Sequence, residues 1–298
     1  MKFLKGLALS LLNFLLFLSL TTFGLVFMLN YTILNPDFVV SQVDRLDVAP
    51  LVAPLVKEQI QIPPEAQFMS EAIDDTIADL EPWMKEQVSA GIYSGYDYLM
   101  GRSQSLSIVI SMEPMKETLR DNLWDAFLQS PPPELAVLPP ATIEEYFNQF
   151  YEQEISKQIP PTFEFNESSF PPEAMVIIEQ VRQGISYFQL SYQALIAFIV
   201  LLILGIILIN RQVRSTTRGI GTTFLVVGAF GLIEIFLATR FAGPQIAQLG
   251  IPPPLQTWIP QLLNDLLAPL QTFSIGLLAA GVVLLIVSFV YKPRQPSV

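Results

Sequence analysis

Glu234 stands in Leu232-Ile233-Glu234-Ile235-Phe236, a carboxyl group inside an otherwise apolar run. A carboxyl in such surroundings can share a proton, hold a cation or tie helices together, so it is the first candidate for chemistry. A second acidic pattern is Glu71, Asp75 and Asp79, spaced four apart and therefore on one face of a helix. That face could draw a divalent cation or a basic partner. No EF-hand spacing or glycine turn accompanies it, and a solvated face opposite Ile73, Ile77 and Leu80 accounts for it more simply. Histidine and cysteine are both absent. Their absence removes disulfides, thiolate nucleophiles, haem and iron–sulfur ligation, nearly every zinc site and every His-containing triad. Glu144 and Glu145 read as part of a capping box, Thr142-Ile143-Glu144-Glu145, that opens a helix. With no phosphate-cradling loop and no nucleophile motif, the chain reads as a non-enzyme without cofactor or metal.

What Glu234 can do depends on where a membrane lies around it. Charged residues make up 14% of the chain, against about 25% in soluble domains, and apolar residues 51%. Mean hydropathy is +0.47. Gly6–Leu29 holds 24 uncharged residues, about 36 Å of helix against a hydrocarbon core of about 30 Å. A cleaved signal peptide is the rival reading, with Lys2 and Lys5 as its basic end. However, the apolar stretch exceeds a signal's usual length and no small-residue cleavage site follows. Three later stretches also qualify, which gives an expected division into segments. Residues 1–29 form the first span and 30–187 an extracytoplasmic acidic domain. The second span (188–210), a basic cytoplasmic loop (211–218) and the third span (219–240) follow. An outer interfacial segment (241–271), a fourth span (272–291) and a cytoplasmic tail (292–298) complete the chain.

Sidedness follows from the basic residues. Lys2, Lys5, Arg211, Arg214, Arg218, Lys292 and Arg294 all fall on one side of four spans, with no acidic residue among them. Residues 30–187 carry 25 acidic and eight basic residues on the other side. Both termini are thus expected in the cytoplasm of a plasma membrane, and the acidic domain outside it. Two glycosylation sequons, at Asn30 and Asn166, read as chance matches in a cysteine-free chain that suits a bacterial surface.

The fold class expected is mainly α: a four-helix transmembrane bundle plus a helical outer domain with a small two-stranded β-ribbon. In the outer domain, Asn35-Pro36-Asp37 supplies an N-cap, a proline at N1 and an acid in the first turn. Ile73, Ile77, Leu80 and Met84 form an apolar stripe, and Pro82 restarts or kinks that helix on its way to about Met100. Ser105–Ser111 alternates and is β-branched, so it reads as a strand, with Thr162-Phe163-Glu164-Phe165 as its partner. From Glu173 to Asn210 no proline intervenes, which predicts one long helix. Trp258, Leu262, Leu266 and Leu270 repeat every four residues within 241–271. Six prolines there predict an amphipathic helix lying at the outer interface, or a lid under the outer domain.

Glu234 lies 16 residues beyond Arg218, about 24 Å along a helix and in the outer third of the membrane. Arg240 is on a different face, a poor partner. Thr21 and Thr22 of the first span, Gln193 of the second and Ser274 of the fourth fall at similar depth. These five residues are expected to form a candidate intramembrane polar site with Glu234 at its centre, serving helix packing or a proton or cation. Gly221 with Gly228, and Gly276 with Ala280, offer small faces for helix contact. The function expected is that of a membrane protein, embedded in lipid, whose acidic outer domain binds, senses or organises a protein partner at the outer face or through the spans. A homo-oligomer is compatible with this, and nucleic acid is excluded by the acidity. The alternative is a transporter or channel subunit that uses Glu234.

Overall fold

The computed structural model describes residues 2–59, 67–129, 139–246 and 252–291. The chain is mainly helical, and its elements run α1 (Lys2–Tyr31), α2 (Pro36–Asp44), α3 (Ala49–Gln59), α4 (Gln67–Asp79), α5 (Glu81–Leu99), β1 (Ser107–Ser111), α6 (Glu113–Gln129), α7 (Pro140–Phe150), β2 (Thr162–Asn166), α8 (Pro172–Asn210), α9 (Val213–Ile246) and α10 (Pro253–Val290). Four helices, α1, α8, α9 and α10, are long and apolar enough to cross a membrane. The chain divides into two compact units, one of Met1–Val39 with Gln183–Val298 and the other of Val40–Arg182. The boundary between the units falls within α2 at one end and within α8 at the other.

Within Val40–Arg182, local signals decide most elements. Asn35, just before that unit, accepts the Asp37 amide at 3.1 Å, so Pro36 takes the first helical position where its missing N–H costs nothing. Pro82 sits in the first turn of α5 and separates it from α4. The N-terminus of α5 holds the α2–α3 turn: Glu81 accepts the Val48 amide at 3.3 Å and pairs with Lys85 at 2.8 Å, while Lys85 donates to the Asp44 carbonyl at 3.0 Å. The hydrogen bond from Lys85 holds the Glu81 carboxyl below the usual glutamate range, against an opposing push from partial burial.

The core of this unit joins α4, α6 and α7 through Ala72, Leu123, Phe127, Phe147 and Tyr151. Trp124 and Phe127 pack on Phe147 with ring centroids 5.0 and 5.6 Å away. Tyr151 donates its hydroxyl to the Lys116 carbonyl at 2.6 Å, so the polar end of a buried ring is satisfied. Ile143, Phe147, Tyr151 and Ile155 are spaced four apart, which overshoots the 3.6-residue period at each step. The chain gives this back in a π-helical turn over Tyr151–Ile155, whose wider winding keeps the stripe on the core. The expected capping box is not formed. Helix α7 begins at Pro140 with Pro139 as N-cap and no side-chain cap, because extended backbone at Pro139 and a proline at N1 already start the helix upstream of Thr142.

The expected ribbon is present. β1 and β2 pair antiparallel, with Ile108 opposite Phe165 and Ile110 opposite Phe163 on one face. Gly91 of α5 lets the Ile108 side chain approach, and Ser94 of the same helix donates to the Ser107 carbonyl at 3.0 Å. Asn166 is occupied locally: its side-chain oxygen accepts the Ser168 amide at 2.9 Å and caps the turn after β2. Of the acidic stripe, Asp79 accepts from Asn122 of α6 at 3.0 Å and Asp75 is exposed, while the Glu71 side chain lies outside the described residues.

Two of the long helices bear on the expected segment boundaries. α8 is a single helix of 39 residues, about 58 Å, as the proline-free stretch predicts. α10 departs from expectation: residues from Pro253 onward enter the fourth apolar stretch without a break, as one 38-residue helix that contains Pro260 and Pro269. No separate interfacial helix exists among the described residues. Pro253 and Pro254 occupy the first turn, where proline fits, and the interior prolines are carried by the packed apolar helix on either side. The four-residue stripe turns inward along α10, from half-buried Trp258, Leu262 and Leu266 to buried Leu270.

Candidate functional site

The polar candidates all belong to the helix bundle of Met1–Val39 and Gln183–Val298, so the contacts between its helices set their relative heights. Near one end, Lys5 of α1 donates to the Asn210 carbonyl at the C-terminus of α8, at 3.1 Å. Further along, Asn13 of α1 meets Thr223 of α9 at 3.4 Å, and Phe17 meets Phe230 edge-on at 6.3 Å. Helices α1 and α9 are therefore parallel. At the far end Phe23 stacks on Tyr192 of α8 at 5.6 Å and packs against Phe273 of α10 at 5.5 Å.

α9 and α10 form the most extensive helix pair among the described residues. Their contact runs through glycines that bring backbone against backbone. A methyl group built on Gly228 would lie 2.6 Å from the Ser274 carbonyl oxygen, and one on Gly281 would lie 2.9 Å from the Gly221 carbonyl oxygen. One built on Gly231 would collide with the Ser274 hydroxyl. Gly221 and Gly228 thus both serve the contact their spacing suggests. Gly276 does not: it is exposed, and a methyl there would meet nothing within 4 Å. On α10 the close approach uses Ser274 and Gly281 instead, because the helix rolls to present those positions to α9.

These contacts place the five candidates at one height. Thr22 and Gln193 adjoin the stacked pair Phe23 and Tyr192, with Thr21 one residue further along. Ser274 adjoins Phe273, which touches Phe23. Glu234 is three residues beyond Gly231, whose position abuts Ser274. All five fall within about one helical turn of each other along the bundle.

They do not face together. Ser274 is 1% exposed, wedged against the Gly231 and Gly228 backbone. Thr21 is half-buried and donates its hydroxyl back to the Phe17 carbonyl at 3.0 Å. Thr22, Gln193 and Glu234 have exposed side chains. Among the described residues neither Glu234 nor Gln193 has a hydrogen-bond or ion-pair partner, and Arg240 does not pair with Glu234. Glu234 lies seven residues beyond buried Val227 and eleven beyond buried Thr223, so spacing alone sets it on their face. Yet among the described residues no neighbouring side chain covers it, and it is exposed. In a hydrocarbon setting an uncovered acidic side chain costs about 2.5–3.5 kcal/mol at the membrane centre and less toward the surface.

Besides Ser274 the bundle buries other polar groups, and half-buried Asn13 links two of its helices. Asn13 donates its amide to the Leu9 carbonyl at 2.7 Å and its side-chain oxygen accepts from Thr223 at 3.4 Å, beside Gly219. Thr216, Asn210 and Ser288 are also buried. Sequence reasoning passed over Asn13 because it counted as one more uncharged residue of the first span. Its signal was present: it is the one amide side chain between Gly6 and Leu29, and an amide cannot be satisfied in hydrocarbon by itself.

Fold and site together define a class, that of a multi-pass helical membrane protein with a helical unit of 143 residues, Val40–Arg182, set between its first two apolar helices. No family model, curated protein or solved structure matches the chain.

Proposed function

We propose that the chain is a non-enzymatic plasma-membrane protein whose Val40–Arg182 unit lies on the extracytoplasmic side and binds or organises a basic protein partner there. The observation that carries this reading is the separation of charge between the two units. Val40–Arg182 has 24 acidic and eight basic residues, whereas residues 1–5, the 211–218 loop and the 292–298 tail together bear seven basic residues and no acid. Translocation favours leaving the basic segments in the cytoplasm, which puts the acidic unit outside. The acidic unit also offers a place for a partner. Glu144, Glu145, Asn148 and Glu152 line a shallow groove of about 560 Å³ along α7 and the π turn. Three carboxylates on one open surface would attract a basic segment and speed its encounter, with an affinity that falls as salt rises.

The absence of cysteine makes the topology directly testable. Ala90→Cys, at an exposed position of α5, should react with a membrane-impermeant maleimide on intact cells; Ser215→Cys, beside the basic residues, should react only after permeabilisation. The reverse pattern would defeat the reading. Binding is tested by crosslinking in native membranes. A partner recovered with the wild type should be lost with Glu144→Gln/Glu145→Gln/Glu152→Gln, while helicity stays unchanged. The transporter reading has less support, because Glu234 is exposed on the bundle rather than directed into it.

A further inference from the structure

Glu234 and Gln193 share three properties: they stand at one height of the bundle, they are exposed, and neither has a partner among the described residues. They sit on different helices, α9 and α8. A carboxyl group and a primary amide are complementary, since the amide N–H donates to the carboxyl oxygen whether or not the acid is ionised. Neither group can be left in hydrocarbon without a partner at little cost.

In a membrane this geometry selects what can cover them. Copies of one chain insert with the same orientation and to the same depth, so they can differ only by displacement and rotation in the plane. A group on one copy can therefore meet only groups at its own height on the next. Glu234 and Gln193 meet that condition, whereas Arg240, six residues further along α9, does not. Around them the surface is apolar and able to pack: Leu190 and Ile196 on α8, and Ile233 and Leu237 on α9, are exposed.

We infer that the protein self-associates in the membrane through the outward faces of α8 and α9, with Glu234 of one copy hydrogen-bonded to Gln193 of another. The inference concerns the apolar helices alone and stands whichever side of the membrane holds Val40–Arg182.

The test uses cysteines one turn from the pair, so that the pair itself is kept. Because α8 and α9 run in opposite senses, Leu190 and Leu237 are displaced from Gln193 and Glu234 in the same direction. Two differently tagged populations, Leu190→Cys and Leu237→Cys, are co-expressed and oxidised in native membranes. The expected result is a mixed crosslinked dimer carrying both tags. Adding Glu234→Leu to the second population should lower its yield by about three- to thirty-fold, the range one interhelical hydrogen bond supplies in a membrane. Adding Glu234→Gln, which can still accept from an amide, should largely retain it. Wild-type protein extracted with its lipid should have the mass of more than one copy. A monomeric wild type, a product formed only between like-tagged copies, or a mixed yield indifferent to Glu234→Leu would each overturn the inference.

Discussion

Gly228 offers the sharpest test of how the bundle is held together. In Gly228→Ala the added methyl would stand 2.6 Å from the Ser274 carbonyl oxygen, 2.8 Å from Leu278 Cγ and 3.0 Å from the Leu278 amide nitrogen. An ordinary carbon–oxygen approach is about 3.3 Å, so α9 and α10 must part by roughly 0.7 Å at that point. Two of the three obstacles are backbone atoms, which cannot swing aside. A gap of that size forfeits a quarter to a half of each local contact, and each contact is worth about 0.1–0.2 kcal/mol. Over roughly 20–30 atom pairs along the glycine strip the loss comes to about 1–2 kcal/mol, in line with overpacked cores. Alanine gains up to about 1 kcal/mol over glycine as a helix former, so the comparison must be with another glycine of the same helix pair. Gly276→Ala is that control, since its methyl meets nothing within 4 Å. Reversible unfolding in mixed detergent micelles, followed by helicity, should show Gly228→Ala less stable than Gly276→Ala by about 1–2 kcal/mol. Equal stabilities would refute backbone-to-backbone packing of α9 on α10.

Three further outcomes follow from single contacts. Asn13→Leu should cost about 0.5–1 kcal/mol in the same unfolding assay; Thr223→Val should add little on top, because without Asn13 the Thr223 hydroxyl keeps only its bond to the Gly219 carbonyl of its own helix. Glu81 has a folded pKa below its unfolded value, so its contribution is present above the unfolded pKa and is lost as pH falls through the folded one. Stability of the Val40–Arg182 unit should accordingly drop by about 0.5–1 kcal/mol on acidification across the carboxylate range, and Glu81→Gln should remove that part of the slope. Tyr151 is pushed up, chiefly by burial, so its contribution is present below the unfolded tyrosine value and lost as pH rises beyond it. Tyr151→Phe should cost about 1 kcal/mol near neutrality through the lost bond to the Lys116 carbonyl and flatten the alkaline decline.

Much of the architecture was legible in the sequence because it rests on local physics. Length and polarity mark four apolar helices, and Asn35-Pro36-Asp37 carries its own cap. Pro82 separates α4 from α5, and alternating β-branched residues mark β1. Even the pairing of β1 with a strand more than 50 residues away could be read, since Thr162–Phe165 is the stretch that matches it in pattern. The failures are equally physical. A capping box at Thr142 loses to a proline start upstream, and Pro260 and Pro269, which suggest a break, lie inside the continuous helix α10.

For the candidate site, sequence alone determined height along the bundle, because a helix rises by a fixed increment per residue and the span ends are marked by charge. That reasoning brought Thr21, Thr22, Gln193, Glu234 and Ser274 to one level, where the interhelical contacts also put them. Facing was beyond it. Helix periodicity places Glu234 on the same side as Val227, and only the arrangement of neighbouring helices decides that Val227 is covered and Glu234 is not. The same holds for Gly276 against Gly281, two small residues on α10 of which one touches α9 and the other meets nothing. A residue's height is a property of its own helix; what covers it is a property of all the others.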